Sequence, residues 1–174
     1  MTKAEVRAIT MSKLQIQPHA KCCDIGAGTG SVTVEMALAA HRGHVYAIDQ
    51  NEEAFQLIQA NCKDFHIGNV TPILGKAPKT LEELPPLDAA FIGGSSGNLK
   101  EIVDSLLEKN SRTRIVINAI ALETVQAAIA AFANHGIEAE IIQVGIAKAK
   151  PAAKVHMLIA NNPVFIISGG GFHV

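Results

Sequence analysis

Short apolar runs alternate along this chain with segments whose apolar residues recur at helical spacing, and that rhythm leaves few folds open. The runs cover residues 20–25, 44–49, 70–74, 87–94 and 114–118, each of strand length and rich in Val, Ile, Ala or Phe. Between them lie one-sided stripes. The clearest is Leu99, Ile102, Val103, Leu106 and Leu107, at i, i+3, i+4, i+7 and i+8. Val125, Ala128, Ile129, Phe132 and Ala133 repeat the spacing, and Gly136 suits the C′ position that ends such a helix. Residues 31–40 read as a helix burying Val32, Met36 and Ala39, and "NEEAFQLIQANC" as another with Asn51 as its N-cap. A leading helix over residues 2–14 has Val6, Ile9 and Leu14 on one side, and Pro18 closes that segment. Strands separated by helices are parallel and carry the helices on both faces, so the fold class is α/β.

The tail breaks the rhythm. "IEAEIIQVGIA" from Ile137 and "VHMLIANNPVFIIS" from Val155 are strand-like with no helix between them. They predict an antiparallel C-terminal strand pair finishing an otherwise parallel sheet of seven to eight strands. No repeat, low-complexity segment or linker divides the 174 residues, which read as a single domain over 1–174. Net charge is −1, no Lys/Arg run exceeds two residues, Trp is absent and Tyr occurs once. That composition argues against nucleic acid as a partner. No apolar stretch reaches the roughly eighteen residues of a membrane span, and the leading "MTKAEVR" is polar, so neither a span nor a signal peptide is expected. The three cysteines, Cys22, Cys23 and Cys62, form no C-x-x-C, and the adjacent pair points to opposite faces of a strand. They read as buried, reduced and structural, consistent with a cytoplasmic protein. The histidines show no metal-ligand spacing, and no metal site is predicted.

Three glycines follow the first strand at every second position, in "KCCDIGAGTGSV". Glycine at that density weakens strand and helix alike, and points to a ligand that approaches the main chain closely. In an open α/β sheet, the end of the first strand is where such ligands sit. The dinucleotide fingerprint G-x-G-x-x-G would need glycine where Ser31 stands, and a pyrophosphate is ill matched to Asp24 beside the loop. A ligand bearing an ammonium group and a sulfonium but no phosphate, such as S-adenosylmethionine, matches Asp24 better. Asp49, nineteen positions after Gly30, can accept hydrogen bonds from both hydroxyls of a ribose. On this reading Asp24, Gly26, Ala27, Gly28, Thr29, Gly30 and Asp49 form a methyl-donor pocket.

"DIGAGTG" with the strand-2 "AID" resembles the class I S-adenosylmethionine-dependent methyltransferases, which have a Rossmann-like fold. More narrowly, "TKAEVRAITMSKL", "FIGGSSGNL", "RIVINAIALETV" and "NPVFIISG" resemble the decarboxylating precorrin and cobalt-precorrin C15-methyltransferases of cobalamin biosynthesis. The likeness runs from Thr2 to Gly169; "FIGGSSGNL" and "NAIALETV" carry the narrow assignment. It implies that Thr2 helps close the donor site, that the glycine loop holds the methionine and ribose part, and that Ala77 lies on the adenine side. The sequence departs from the family pattern in two places. Lys76 stands where an acid is usual, and a lysine cannot accept from an adenine amino group. "AKAKPAAKVHML" lacks a glycine-bearing turn before the last strands.

The implied activity is methylation of C15 on a precorrin or cobalt-precorrin macrocycle with decarboxylation of the ring C acetate, by a homotetramer. A flat, polycarboxylate substrate would lie over the ends of the fourth and fifth strands. There "GGSSGN" offers small side chains and main-chain N–H groups, giving Gly93, Gly94, Ser95 and Asn98 as substrate contacts, with Asn118 ending strand five. The competing reading of that loop is a turn capping the next helix with Ser96 or Asn98. Lys148 and Lys150 read as solvated lysines before they read as carboxylate partners, and His156 as a core histidine. No nucleophile–base dyad is apparent, so no catalytic residue is named. Other readings are a methyltransferase for an acceptor such as tRNA, which would need a basic rim, and a weakly active donor-binding subunit, which Lys76 would favour. A nicotinamide dehydrogenase is disfavoured by Ser31 and Asp24.

Overall fold

A computed structural model describes residues 2–153 and 155–171. The chain opens with helix α1 (Ala4–Leu14), then alternates β1 (Lys21–Ile25), α2 (Ser31–Ala39), β2 (His44–Asp49), α3 (Glu52–Asp64), β3 (Val70–Leu74), β4 (Ala89–Ile92), α4 (Leu99–Lys109), β5 (Arg114–Ala119) and α5 (Leu122–Asn134). A short 3₁₀ turn, Lys79–Leu81, lies between β3 and β4. Four strands end the chain: β6 (Glu140–Val144), β7 (Ala147–Ala152), β8 (Val155–Ala160) and β9 (Val164–Gly169).

Seven strands form one sheet in the order β3-β2-β1-β4-β5-β9-β6, with the first five parallel. β9 runs antiparallel between β5 and β6. Strand order reverses between β1 and β4, where the chain turns from building one half of the sheet to building the other. Ile25 pairs with Ile48 and Ile92, so the carboxyl ends of β1, β2 and β4 share one edge. Ala119 at the end of β5 pairs with Phe165 near the start of β9, and Val144 at the end of β6 pairs with Val164. The turn leading into β9 therefore reaches the same edge.

The side-chain alternation of β1 divides the core. Cys22 packs with Val6, Leu14, Met36, Val45 and Phe91 on the α1/α2 face; Cys23 packs with Ile102, Leu106, Ile115 and Phe132 on the α4/α5 face. α3 closes the α1/α2 face beside β2, with Ile58 and Cys62 against Ala47. All three cysteines are buried and free. The expected stripe of α4 is buried at all five positions.

Elsewhere the structure corrects the helical registers. α5 buries Val125, Ala128, Ala131 and Phe132, leaving Ile129 40% exposed and Ala133 in solvent. Its contact with the sheet is a narrow stripe, and the second apolar row falls outside it. In α2 Ala37 is buried instead of Ala39, because this helix lies between α1, α3 and the sheet and is covered almost all round. In α1 Val6, Ile9 and Leu14 pack on one cluster as expected, Ile9 half-buried, and Thr10 is buried beside them with its hydroxyl donating to the Val6 carbonyl at 2.9 Å.

The tail departs further. The segment from Val155 is two strands, split at Asn161-Asn162-Pro163, and a strand not expected from the sequence, β7, precedes it. β7 and β8 pair from Ala147↔Ala160 to Ala152↔Val155 as a separate hairpin, so the antiparallel pair in the main sheet is β6 with β9. β7 ("AKAKPA") has only alanine and proline as apolar residues and is almost wholly exposed; it is held by main-chain pairing with β8 and by the Lys148–Glu5 ion pair. Every residue of β8 is exposed, His156 included, so that histidine is not in the core. Among the described residues no helix is long and apolar enough to cross a membrane.

Candidate functional site: a trough along the carboxyl edge of the sheet

The glycine loop leaves β1 under main-chain control. Gly26 and Ala27 N–H donate to the Ile48 carbonyl at 2.9 and 3.1 Å, and Gly30 N–H to the Ala27 carbonyl at 2.9 Å. A Cβ on Gly26 would sit 2.8 Å from the Gly94 nitrogen and oxygen, so the loops after β1 and β4 touch there. Gly28 differs: its φ is +56°, and a Cβ on it would meet nothing within 4 Å. Side-chain removal at Gly28 thus leaves bare backbone facing open space.

That backbone is coupled to Asp49. Gly28 N–H donates to Asp49 Oδ2 at 2.8 Å and Asn51 N–H to Oδ1 at 3.0 Å. Both carboxylate oxygens are held by one donor each and keep lone pairs for further donors, as a vicinal diol would supply. Asn51 caps α3 as expected, its Oδ1 accepting from Glu53 N–H at 2.8 Å.

On one side of the Gly26–Gly94 contact lies a cavity of about 230 Å³ lined by Asp49, Gln50, Lys76, Ala77, Ser95 and Ser96. Gln50 Nε2 donates to Ser96 Oγ at 3.2 Å, joining two of its lining residues. On the other side lies a cavity of about 430 Å³, lined by Thr2, Lys3, Gly28, Asn118, Asn161 and Asn162 above apolar Ile120, Val144, Ile146 and Val164. A smaller space lined by Gly93, Gly94, Ser95, Asn118 and Ile120 connects the two. Asn118 Nδ2 donates to Thr10 Oγ1 at 3.0 Å, which fixes the amide at the end of β5.

The structure brings Thr2, Gly26, Ala27, Gly28, Asp49, Ala77, Gly93, Gly94, Ser95 and Asn118 onto this trough. It does not bring Asp24, Thr29, Gly30 or Asn98 onto its walls. Asp24 is fully buried beneath the loop and accepts from Thr33 Oγ1 at 2.5 Å, while its Oδ1 has no partner among the described residues. Burial, aided by the nearby Asp49 charge and opposed by the Thr33 bonds, raises its carboxyl to about 7. The expectation of an open carboxylate beside the loop is therefore corrected: two residues before Gly26, the side chain still points into the core as a strand residue does. Thr29 accepts Asn61 Nδ2 at its carbonyl and Gly30 starts α2. Asn98 lies beyond Ser96 and Gly97, whose φ of 48° and 86° turn the chain into α4, and it faces Lys76 and Ala77 from the far side.

Several lining residues had no mark in the sequence reading: Lys3, Gln50, Ile120, Ile146, Asn161 and Asn162. In the sequence Asn161-Asn162-Pro163 falls inside one strand-like segment; the sheet order is what carries this turn to the end of β5. Lys148 pairs with Glu5 at 2.5 Å and does not line the trough. Among the described residues no group of three or more His, Cys, Asp or Glu could hold a metal ion.

Comparison with known proteins follows the same lines. A family profile described as "Precorrin methyltransferase domain" matches residues 1–169. A protein of Saccharolobus solfataricus described as "Probable cobalt-precorrin-6B C(15)-methyltransferase (decarboxylating)" is 44% identical over 174 aligned positions, covering 97% of this chain and 87% of its own. The crystal structure of precorrin-6y C5,15-methyltransferase from Geobacter metallireducens superposes with a TM-score of 0.92 at 38% identity, over 98% of this chain and 90% of that one. That of precorrin 8w decarboxylase from Methanobacterium thermoautotrophicum gives 0.90 at 35%, over 98% and 91%. With the family profile matched over residues 1–169, a relative 44% identical over 97% of the chain and the fold superposed over 98% of it, this chain belongs to the precorrin methyltransferase domain family.

Proposed function

We propose that this protein transfers the methyl group of S-adenosylmethionine to C15 of a precorrin or cobalt-precorrin macrocycle and releases the ring C acetate carboxyl as carbon dioxide. The observation that carries the donor half is the Asp49 carboxylate, held by Gly28 and Asn51 N–H at the edge of bare loop backbone. The residues fit a nucleoside with an aminoacyl arm: Asp49 for the ribose diol, the Gly26–Gly28 backbone for the methionine part, and the buried Ala77 segment for the adenine. Lys76 has only donors to offer at that end, so it serves a ring nitrogen and leaves the adenine amino group to the main chain. Thr2, on the other flank of Gly28, closes the donor from the acceptor side. Asp24, Thr29 and Gly30 act behind the loop, holding its frame.

When bound, the donor's sulfonium supplies an electrophilic methyl group. The protein's part is to hold the acceptor in line and keep water out. The larger cavity is suited to a flat conjugated ring: Ile120, Val144, Ile146 and Val164 give an apolar bed, and Gly93, Ser95 and Asn118 offer polar contacts at its margin. Decarboxylation moves the bond electrons into the conjugated ring, which then takes a proton; no side chain need act as nucleophile.

The hairpin β7–β8 supports assembly into a homo-oligomer, read as a tetramer. Val155, Met157, Leu158 and Ile159 are 44–73% exposed on it. We assign the protein to the cytoplasm, with neither nucleic acid nor membrane as a partner. Labelled methyl transfer from S-adenosylmethionine to the macrocyclic precursor tests the proposal: the wild type should label the precursor, and Asp49→Ala should fail at donor concentrations that saturate the wild type. Absence of transfer by a folded wild-type protein would overturn it.

A further inference from the structure

We infer that Asn161 and Asn162, together with Lys3, form the subsite that holds a peripheral carboxylate arm of the acceptor. The inference rests on the proposed macrocyclic acceptor. Its evidence is the way this chain uses its asparagines. Asn51, Asn61, Asn69, Asn98, Asn110 and Asn118 each have a side-chain hydrogen bond to the protein, and Asn134, exposed at the end of α5 and away from the cavity, has none among the described residues. Asn161 and Asn162 have none among the described residues, yet both line the larger cavity. Their backbone is not loose: Asn161 N–H donates to the Ile146 carbonyl at 2.8 Å, tying the turn to the link between β6 and β7. Two adjacent amides, Asn161 half-buried and Asn162 exposed, are thus presented on a fixed frame with no protein partner among the described residues, on the polar margin of a cavity whose bed is apolar. That is the arrangement by which a mostly apolar site orients a ligand.

Charge points the same way. Lys13, Lys100 and Lys148 are committed to carboxylates and Lys109 to three main-chain carbonyls. Lys3, like Lys21, Lys63, Lys76, Lys79 and Lys150, makes no ion pair with a carboxylate within 4 Å among the described residues; of these it is the one that lines the same cavity. One ammonium and two amide donors match a single carboxylate, which accepts several hydrogen bonds at once. The sheet places Asn161 and Asn162 past the end of β5, whereas Asp49 lies at the end of β2, so these two amides stand at the far end of the cavity's strand edge from the carboxylate proposed for the donor's ribose.

The test compares wild type, the Asn161→Ala/Asn162→Ala double variant and Lys3→Ala. Acceptor binding to protein saturated with S-adenosylhomocysteine is followed by absorbance titration, and KM and kcat are measured alongside. The expected result is acceptor affinity reduced roughly tenfold to a hundredfold in each variant, with KM rising and S-adenosylhomocysteine affinity within about twofold of wild type. Esterifying the acceptor's carboxylates should weaken wild-type binding by a similar factor and leave the double variant nearly insensitive. Asn162→Asp, which places a like charge there, should weaken the free acid more than the ester, and it serves if the double variant misfolds. Turnover with acceptor affinity unchanged in the variants overturns the subsite alone. A wild-type protein that binds S-adenosylhomocysteine but neither binds nor alkylates the macrocycle overturns the proposed function, and the subsite with it.

Discussion

Asp24 shows how position along a strand decides what a carboxyl can do. It stands two residues before Gly26, close enough to the loop in sequence to read as a ligand contact, yet its side chain is under α2 with Thr33 as partner. What the sequence could not display is the direction of that side chain. Asp49, by contrast, was legible from its place at the end of a strand nineteen positions after Gly30, and its carboxylate does reach the loop, at Gly28 N–H. The raised carboxyl of Asp24 has a consequence for stability. In the unfolded chain it ionises near 3.8; in the fold it keeps its proton up to about 7. The folded state therefore binds the extra proton between those values, and stability falls as pH rises from about 4 to about 7 and is flat beyond. Asp24→Asn removes that loss: urea unfolding at pH 8 should find it stabilised relative to its own offset at pH 4 by on the order of 3–4 kcal/mol. Parallel curves for the two proteins across that range would contradict the assignment. The loop glycines make a second contrast. Gly26→Ala collides with Gly94 backbone and should lower the melting temperature sharply. Gly28→Ala meets open space and should cost only about 1–2 kcal/mol for its φ, while weakening S-adenosylmethionine binding at least tenfold; calorimetric titration separates the two effects.

Among the elements, those with a strong pattern were legible and those held by backbone pairing were not. β2 and β3 fall at the expected bounds, and α4 buries its whole predicted stripe. The α5 stripe looked equivalent in the sequence but is half used, since periodicity marks an apolar arc and says nothing of how wide the neighbouring surface is. Leu106→Ala and Ile129→Ala, alike in the sequence, should therefore differ. The first, with Leu106 3% exposed, should cost about 2–5 kcal/mol by chemical denaturation. The second, at 40% exposure, should cost less than about 1.5 kcal/mol. Equal losses would mean that α5 packs on its second row. β7 was missed because a lysine-rich strand on a free hairpin carries no burial signal; only the β8 partner defines it.

At the scale of the whole molecule, the chain builds one sheet whose ligand edge collects the ends of β1, β2, β4 and β5 and then, through the antiparallel β9, the turn at Asn161 and Asn162. The donor half of the trough was readable because it is local, a loop and the next strand end. The acceptor half needed the topology, for its wall comes from α1 and from the roots of a hairpin late in the chain. That hairpin is also the surface proposed for assembly. Leu158, 73% exposed, is the apolar residue on it most open to a second copy. If the proposed assembly forms through it, Leu158→Asp should give smaller species than wild type in sedimentation velocity without unfolding the subunit; an unchanged sedimentation coefficient would contradict that interface. The account as a whole is tested most directly by mass analysis of the macrocycle after incubation with S-adenosylmethionine and the protein. It predicts one product that has gained a methyl group and lost carbon dioxide. An unaltered macrocycle, from protein shown to bind the donor, would contradict it.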